Sequence, residues 1–213
     1  MRTIDLDTWP RREHFAFFRR SDLPFYNVNM RVKVTGLPEF ARSQGLSLNH
    51  TLVFLTVQAL NAIENFRYRL RGEEVVLHER IHPSFAHLRE GEELFRMITV
   101  DCLDDLRAFD ALCRREIDAS CAYFDMNKFA GRDDFVFISA LPWLSFTGID
   151  HTLSLRRDDA MPRVSWGKIE GENGCSWLPY NLQVNHLFVD GLHVGRFFTE
   201  LDRLIGAIQH PID

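Results

Sequence analysis

The chain has 213 residues, 46% of them hydrophobic, and a formal net charge of −5. That length can bury a substantial core, and one domain over residues 1–213 is predicted. Acidic and basic residues mix along the whole chain, which argues against a nucleic-acid or anionic-membrane partner. No apolar run approaches the ~20 residues of a membrane span, and Met1 to Asp7 has no signal-peptide core, so a cytoplasmic protein is expected.

In chain order, Asn29 to Thr35 alternates polar residues with Met30, Val32 and Val34, a strand signal. Asn49 to Asn65 places Leu52, Val53, Leu55, Leu60 and Ile63 at helical spacing, with Asn49 as candidate cap. His78, Glu79, His82 and His87 form the densest group of metal-ligating types. No H-E-x-x-H helix or Cys-His clasp is present and Pro83 interrupts any shared helical face, so a solvated loop without metal is expected. Arg107 to Tyr123 reads as a helix and Phe135 to Ile138 as a short strand. Leu192 to Gln209 reads as a helix with Val194, Phe197, Phe198, Leu201, Leu204, Ile205 and Ile208 on one apolar face. Cys102, Cys113, Cys121 and Cys175 have no C-x-x-C spacing and are read as free, mostly buried thiols. Strands mixed with packed helices predict an α/β (α+β) fold, a two-layer sandwich with a mixed sheet.

The segment Asn185 to Gly191 carries the chemistry. His186 stands four residues before Asp190, and Leu182, Val184, His186 and Phe188 share a face if a strand persists that far. Each residue has an ordinary reading. His186 suits a buried histidine satisfied by backbone or carboxylate, and Asp190 before Gly191 suits a helix N-cap worth about 1 kcal/mol. Together they match the His-x-x-x-Asp-Gly signature of acyl-CoA-dependent acyltransferases.

Two further segments strengthen that match. Trp9-Pro10-Arg11-Arg12-Glu13-His14-Phe15 resembles the W-x-R-[RK]-E-H-F opening of the chloramphenicol acetyltransferase family. Phe137 to Trp143 resembles its I-S-A-x-P-W segment, and His186 to Arg196 its H-x-x-x-D-G-F-H-V-x-R segment, with Leu192 replacing the phenylalanine. The resemblance covers essentially the whole chain. It implies that fold, a homotrimer with clefts between subunits, and acetyl transfer from acetyl-CoA to a small-molecule alcohol, the chemistry of antibiotic resistance where that alcohol is chloramphenicol. It implies His186 as general base, Ser139 as oxyanion donor and an Asp190–Arg11 bridge. Imidazole suits the base role because its pKa lies near working pH. Ser165 and Lys168 correspond to residues near the coenzyme, while Ser47 falls where a second lysine is expected. Phe17, Phe18 and Phe95 correspond to aromatic acceptor positions.

The acceptor side departs further, with Asp22, Arg96, Ile149 and His151 at positions that suit an apolar nitroaryl diol poorly if they line the pocket. Asn185, where many members have a second histidine, lies off the presumed catalytic face. Two alternatives stay open: the same chemistry on another alcohol or an amine, and a catalytically silent coenzyme-binding homologue.

Overall fold

The computed structural model describes residues 1–153 and 158–209. The first half contains β1 (Arg2–Thr3), α1 (Arg12–Phe18), β2 (Phe25–Lys33), α2 (Leu37–Ser43), α3 (Leu48–Asn61), β3 (Tyr68–Arg71), β4 (Glu74–Leu77), β5 (His82–His87) and β6 (Arg96–Thr99). The second half contains α4 (Leu106–Ala119), α5 (Met126–Phe129), β7 (Phe135–Ala140), β8 (Arg163–Trp166), β9 (Glu170–Glu172), β10 (Cys175–Asn185) and α6 (Gly191–Gln209).

The main sheet runs in the order β2-β10-β8-β7-β5-β6, with β9 paired to the start of β10. Strand β7 is parallel to both β5 and β8, and the other neighbours are antiparallel. Helices α3 and α6 pack against one face, which gives the expected mixed sheet layered with helices. A smaller sheet has the order β1-β4-β3.

Helix α3 lies at the centre of this packing. Its residues Leu52 to Val57 are all buried, because a helix that is apolar on every side has no face to give to water. Each buried leucine, valine or phenylalanine there contributes about 1.5–3 kcal/mol through apolar surface removed from water. Thr56 remains compatible because its hydroxyl bonds the Tyr180 hydroxyl at 2.9 Å. The helix starts earlier than its apolar pattern suggested. Ser47, not Asn49, is the cap: its backbone is extended and its Oγ accepts the His50 N–H at 3.3 Å. The Ser47 N–H in turn donates to Asp110 at 3.1 Å, tying the helix start to α4.

Strand β10 crosses the sheet for eleven residues despite Pro179. The Pro179 carbonyl accepts the Gly167 N–H at 2.9 Å on the β8 edge. Its missing N–H faces Gly167, in the gap between the stretches paired to β9 and β8, so the loss falls just outside the paired register.

Residues 82–87 differ from expectation. They form β5, between β7 and β6, rather than a solvated loop. Their polar groups concealed the strand, since Ser84 is buried and bonds Thr99 at 2.9 Å, and His78, ahead of the strand, is also buried and bonds Asp133 at 2.8 Å. Cys102 and Cys113 are buried and their thiols are pushed up to about 11 and about 12 by desolvation. Cys121 is exposed and Cys175 half-buried, so only two of the four free thiols are core residues. No helix among the described residues is long and apolar enough to cross a membrane.

Ser47→Ala is expected to lower unfolding stability by about 1 kcal/mol, whereas Asn49→Ala removes no cap. Urea denaturation of both variants checks this, and the reverse ranking would return the cap to Asn49.

Candidate active site

Strand β10 ends at Asn185, and the chain turns at His186 instead of continuing the alternation of Leu182 and Val184. Asn185 shapes that turn. Its Oδ1 accepts the Leu187 N–H at 2.9 Å and its Nδ2 donates to the Asp159 carbonyl at 3.0 Å. The His186 N–H donates to the Pro24 carbonyl at 2.6 Å. The sequence signal for Asn185 was a side chain able to bond the backbone two residues on, which the strand reading passed over.

The His186 ring stacks on Phe18, with centroids 3.9 Å apart and planes 12° from parallel, and meets Tyr26 at 4.7 Å. Its Nδ1 lies 3.1 Å from an Asp190 carboxylate oxygen but out of hydrogen-bonding line, and it has no hydrogen-bond partner among the described residues. The side chain keeps 34% of its surface exposed. The ordinary reading, a buried and satisfied histidine, does not describe this group.

One guanidinium holds the turn. Arg11 Nε donates to the Leu187 carbonyl at 2.7 Å, and Nη2 donates to the His186 carbonyl at 2.9 Å. The same Nη2 reaches one Asp190 oxygen at 2.6 Å while Nη1 bonds the other. The fixed fork of arginine meets a planar carboxylate and two carbonyls at once, which a lysine cannot do. Asp190 therefore directs its carboxylate at Arg11 and not at the start of α6. Its backbone does the capping: its carbonyl accepts the His193 N–H at 2.9 Å, and its N–H donates to His193 Nδ1 at 2.9 Å. The Arg11 bond holds the Asp190 carboxyl below the usual carboxylate range, against a smaller opposing effect of burial. Burial, helped by the Asp190 charge, pushes Tyr26 up to about 12, so this neighbour stays a neutral phenol.

Ser139 belongs to a different part of the molecule. Penultimate in β7, it lines a cleft of about 620 Å³ with Phe95, Phe124, Phe129, Phe137 and His151. Ala140 follows it and lines a second cleft of about 780 Å³ with Trp143, Trp166, Lys168 and Leu178. Successive residues of a strand point to opposite faces, so the two clefts lie on opposite faces of the sheet at the end of β7. Gly167 is needed beside the second cleft, since a Cβ there would fall 2.5 Å from the Leu144 carbonyl. Ser165 pairs in register with Ser139, and its buried Oγ has no hydrogen-bond partner among the described residues. Ser47, at the position of the missing lysine, is occupied in capping α3.

His186 and Ser139 are not brought together within the chain. Ser139, Ser165 and Asn181 form one row across β7, β8 and β10, and His186 lies five residues beyond Asn181. Strand spacing and rise put the two residues roughly 20 Å apart. Phe18 accompanies His186, with Phe17 against it at 5.1 Å, whereas Phe95 accompanies Ser139. Of the four divergent positions only His151 lines the Ser139 cleft. Asp22 borders a small cavity beside Arg19 and Pro24. Arg96 pairs with Glu92 and lies 4.9 Å over Tyr123, and Ile149 offers only its carbonyl, to Asn181 at 3.1 Å.

A mixed sheet with a clamped His-x-x-x-Asp-Gly turn at one end of β10 defines the acyl-CoA-dependent acyltransferase class. The family described as chloramphenicol acetyltransferase matches residues 1–202. The chain belongs to that family, whose members are acyltransferases. A chloramphenicol acetyltransferase of a Klebsiella species is 27% identical over 207 residues, covering 94% of this chain and 92% of the relative. A solved chloramphenicol acetyltransferase superposes with a TM-score of 0.89 at 26% identity, covering 96% of this chain and 99% of the other. The dihydrolipoamide acetyltransferase of Azotobacter vinelandii shares the fold, with a TM-score of 0.65 at 17% identity over 87% of this chain and 83% of its own.

Because the Asp190 pKa is depressed, the Arg11 bridge stabilises the turn above the ordinary carboxylate pKa of about 4 and fades as pH falls through the lower folded value. Arg11→Lys is expected to speed hydrogen exchange of the His186 and Leu187 amides at neutral pH, with the difference from the parent shrinking in acid. A pH-independent difference would remove Asp190 from this account.

Proposed function

We propose that the protein transfers an acetyl group from acetyl-CoA to the hydroxyl of a small molecule, with chloramphenicol the first acceptor to test. The observation that carries this is the His186 imidazole: part-exposed as a ring, with its Nδ1 buried beside the Asp190 carboxylate, and fixed in a turn by Arg11. His186 acts as general base, taking the acceptor hydroxyl proton as the oxygen attacks the thioester carbonyl. Ser139 donates to the oxyanion that forms at that carbonyl. Asp190 moves no proton, since both its oxygens face the Arg11 guanidinium, and Asp190 and Arg11 are positioning residues. Acetyl-CoA supplies the activated acyl group, and collapse of the oxyanion breaks the C–S bond, the departing CoA thiolate taking the proton from the His186 imidazolium. Ser165 and Lys168 are its proposed contacts, and Phe17, Phe18 and Phe95 those of the acceptor.

We infer further that the working unit is a cytoplasmic homotrimer with each site shared between subunits. The roughly 20 Å between His186 and Ser139 supports this, since neither can serve the other's substrate within one chain. In a ring of identical subunits, the His186 face of one copy meets the Ser139 cleft of the next.

His186→Ala is expected to lower kcat about 10² to 10⁴-fold and Ser139→Ala about 10² to 10³-fold in a thiol-release assay with chloramphenicol and an alcohol panel. Full activity of a folded His186→Ala protein would sink the mechanism. Equal amounts of the two variants, unfolded and reassembled together, should recover about a quarter of parental activity, the chance that a shared site draws both intact residues. No recovery would overturn the shared site.

A further inference from the structure

The cleft beside Ser139 is walled by Phe95, Phe124, Phe129 and Phe137, and its polar members include His151 and Arg163. Arg163 is already committed, to the Asp159 carboxylate at 2.5 Å and the Met161 carbonyl at 3.1 Å. His151 is not. Its Nε2 lies 2.8 Å from Asn181 Oδ1, and no described residue bonds its Nδ1.

The tautomer of that ring follows from a chain of side chains whose far end is unambiguous. The Asp150 carboxylate can only accept, so Asn27 turns its Nδ2 toward it, at 2.6 Å, and keeps Oδ1 as an acceptor. Asn181 Nδ2 then donates to Asn27 Oδ1 at 3.3 Å, to Asn29 Oδ1 at 2.9 Å and to the Ile149 carbonyl at 3.1 Å. A backbone carbonyl also can only accept, so the Asn181 amide has one orientation. Its Oδ1 must face His151, and Nε2 must carry the proton. Burial lowers the His151 pKa, so near neutral pH the ring holds that single proton and Nδ1 keeps its lone pair.

We propose that His151 determines acceptor specificity, with Nδ1 accepting a hydrogen bond from a second, neutral hydroxyl on the acceptor. This rests on the acetyl-transfer reading of the Ser139 cleft. Asn181 is the positioning residue that sets the tautomer. The row Ser139, Ser165, Asn181 spans two strand spacings, roughly 10 Å, so the second hydroxyl sits at the far end of the molecule from the one acetylated. The preferred acceptor is thus an alcohol with an aromatic body and a distal hydroxyl. An apolar group at that end would desolvate a lone pair without replacing its bond to water.

Aryl alkanols ending in a phenol, and their methyl ethers, are the probes. Thiol release and equilibrium binding are measured in parallel with the parent protein, His151→Leu and His151→Gln. The parent is expected to prefer phenols over ethers about tenfold. His151→Leu should bring that ratio near one, and His151→Gln, whose amide can donate to Asn181 and accept from the ligand, should keep part of it. Nitrogen-15 shifts should show Nε2 protonated and Nδ1 bare in the parent, a readout that survives if His151→Leu does not fold. The same ratio in parent and His151→Leu overturns the proposal, as does a neutral ring protonated at Nδ1 or a parent that binds no probe. Binding that follows the expected pattern without any thiol release would leave the subsite standing and remove the acetyl-transfer reading instead.

Discussion

The Arg11 guanidinium is the joint on which the candidate site depends. It comes from the segment just before α1, yet it bonds two carbonyls and a carboxylate of the turn between β10 and α6, some 175 residues later. Strand pairing ends at Asn185, and beyond it the His186 N–H makes one backbone bond to the neighbouring segment, to the Pro24 carbonyl. The turn cannot be held by α6, because the helix begins only at Gly191. The guanidinium bridges that gap, with one planar fork doing what would otherwise take several separate contacts.

Its charge is balanced locally, and this decides the character of the neighbouring groups. Asp190 is held ionised by Arg11, so it accompanies the imidazole without exchanging protons with it. Tyr26 is kept neutral by burial and by the Asp190 charge. Phe18 covers one face of the ring. The motif therefore contains one imidazole whose Nδ1 has no hydrogen-bond partner among the described residues and several groups that fix its place.

At the other end of the sheet the polar chemistry is arranged by strand register. Ser139, Ser165 and Asn181 occupy one row on three adjacent strands, and each has a distinct state: cleft-lining, buried without a partner among the described residues, and bonded at both ends of its amide. The contrast shows how a sheet that is mostly apolar can carry polar side chains inward where a ligand or a network completes them.

Much of this was legible in the residues alone. The helix at 191–209 followed from apolar periodicity, the one expected over 107–123 ends at Ala119 where Ser120 turns extended, and the motif segments pointed to the family. The Arg11 bridge could be anticipated because the resemblance paired Arg11 with Asp190. Strand β5 was not legible, since its His, Pro and Ser residues look solvated until their partners across the sheet are known. Nor was the cap of α3, where the choice of Ser47 over Asn49 rests on backbone angles. The sequence placed His186, Ser139 and Phe95 in one site. Tertiary structure placed His186 at one end of β10 and Ser139 near the end of β7, because register along the strands, not order along the chain, sets which side chains can meet.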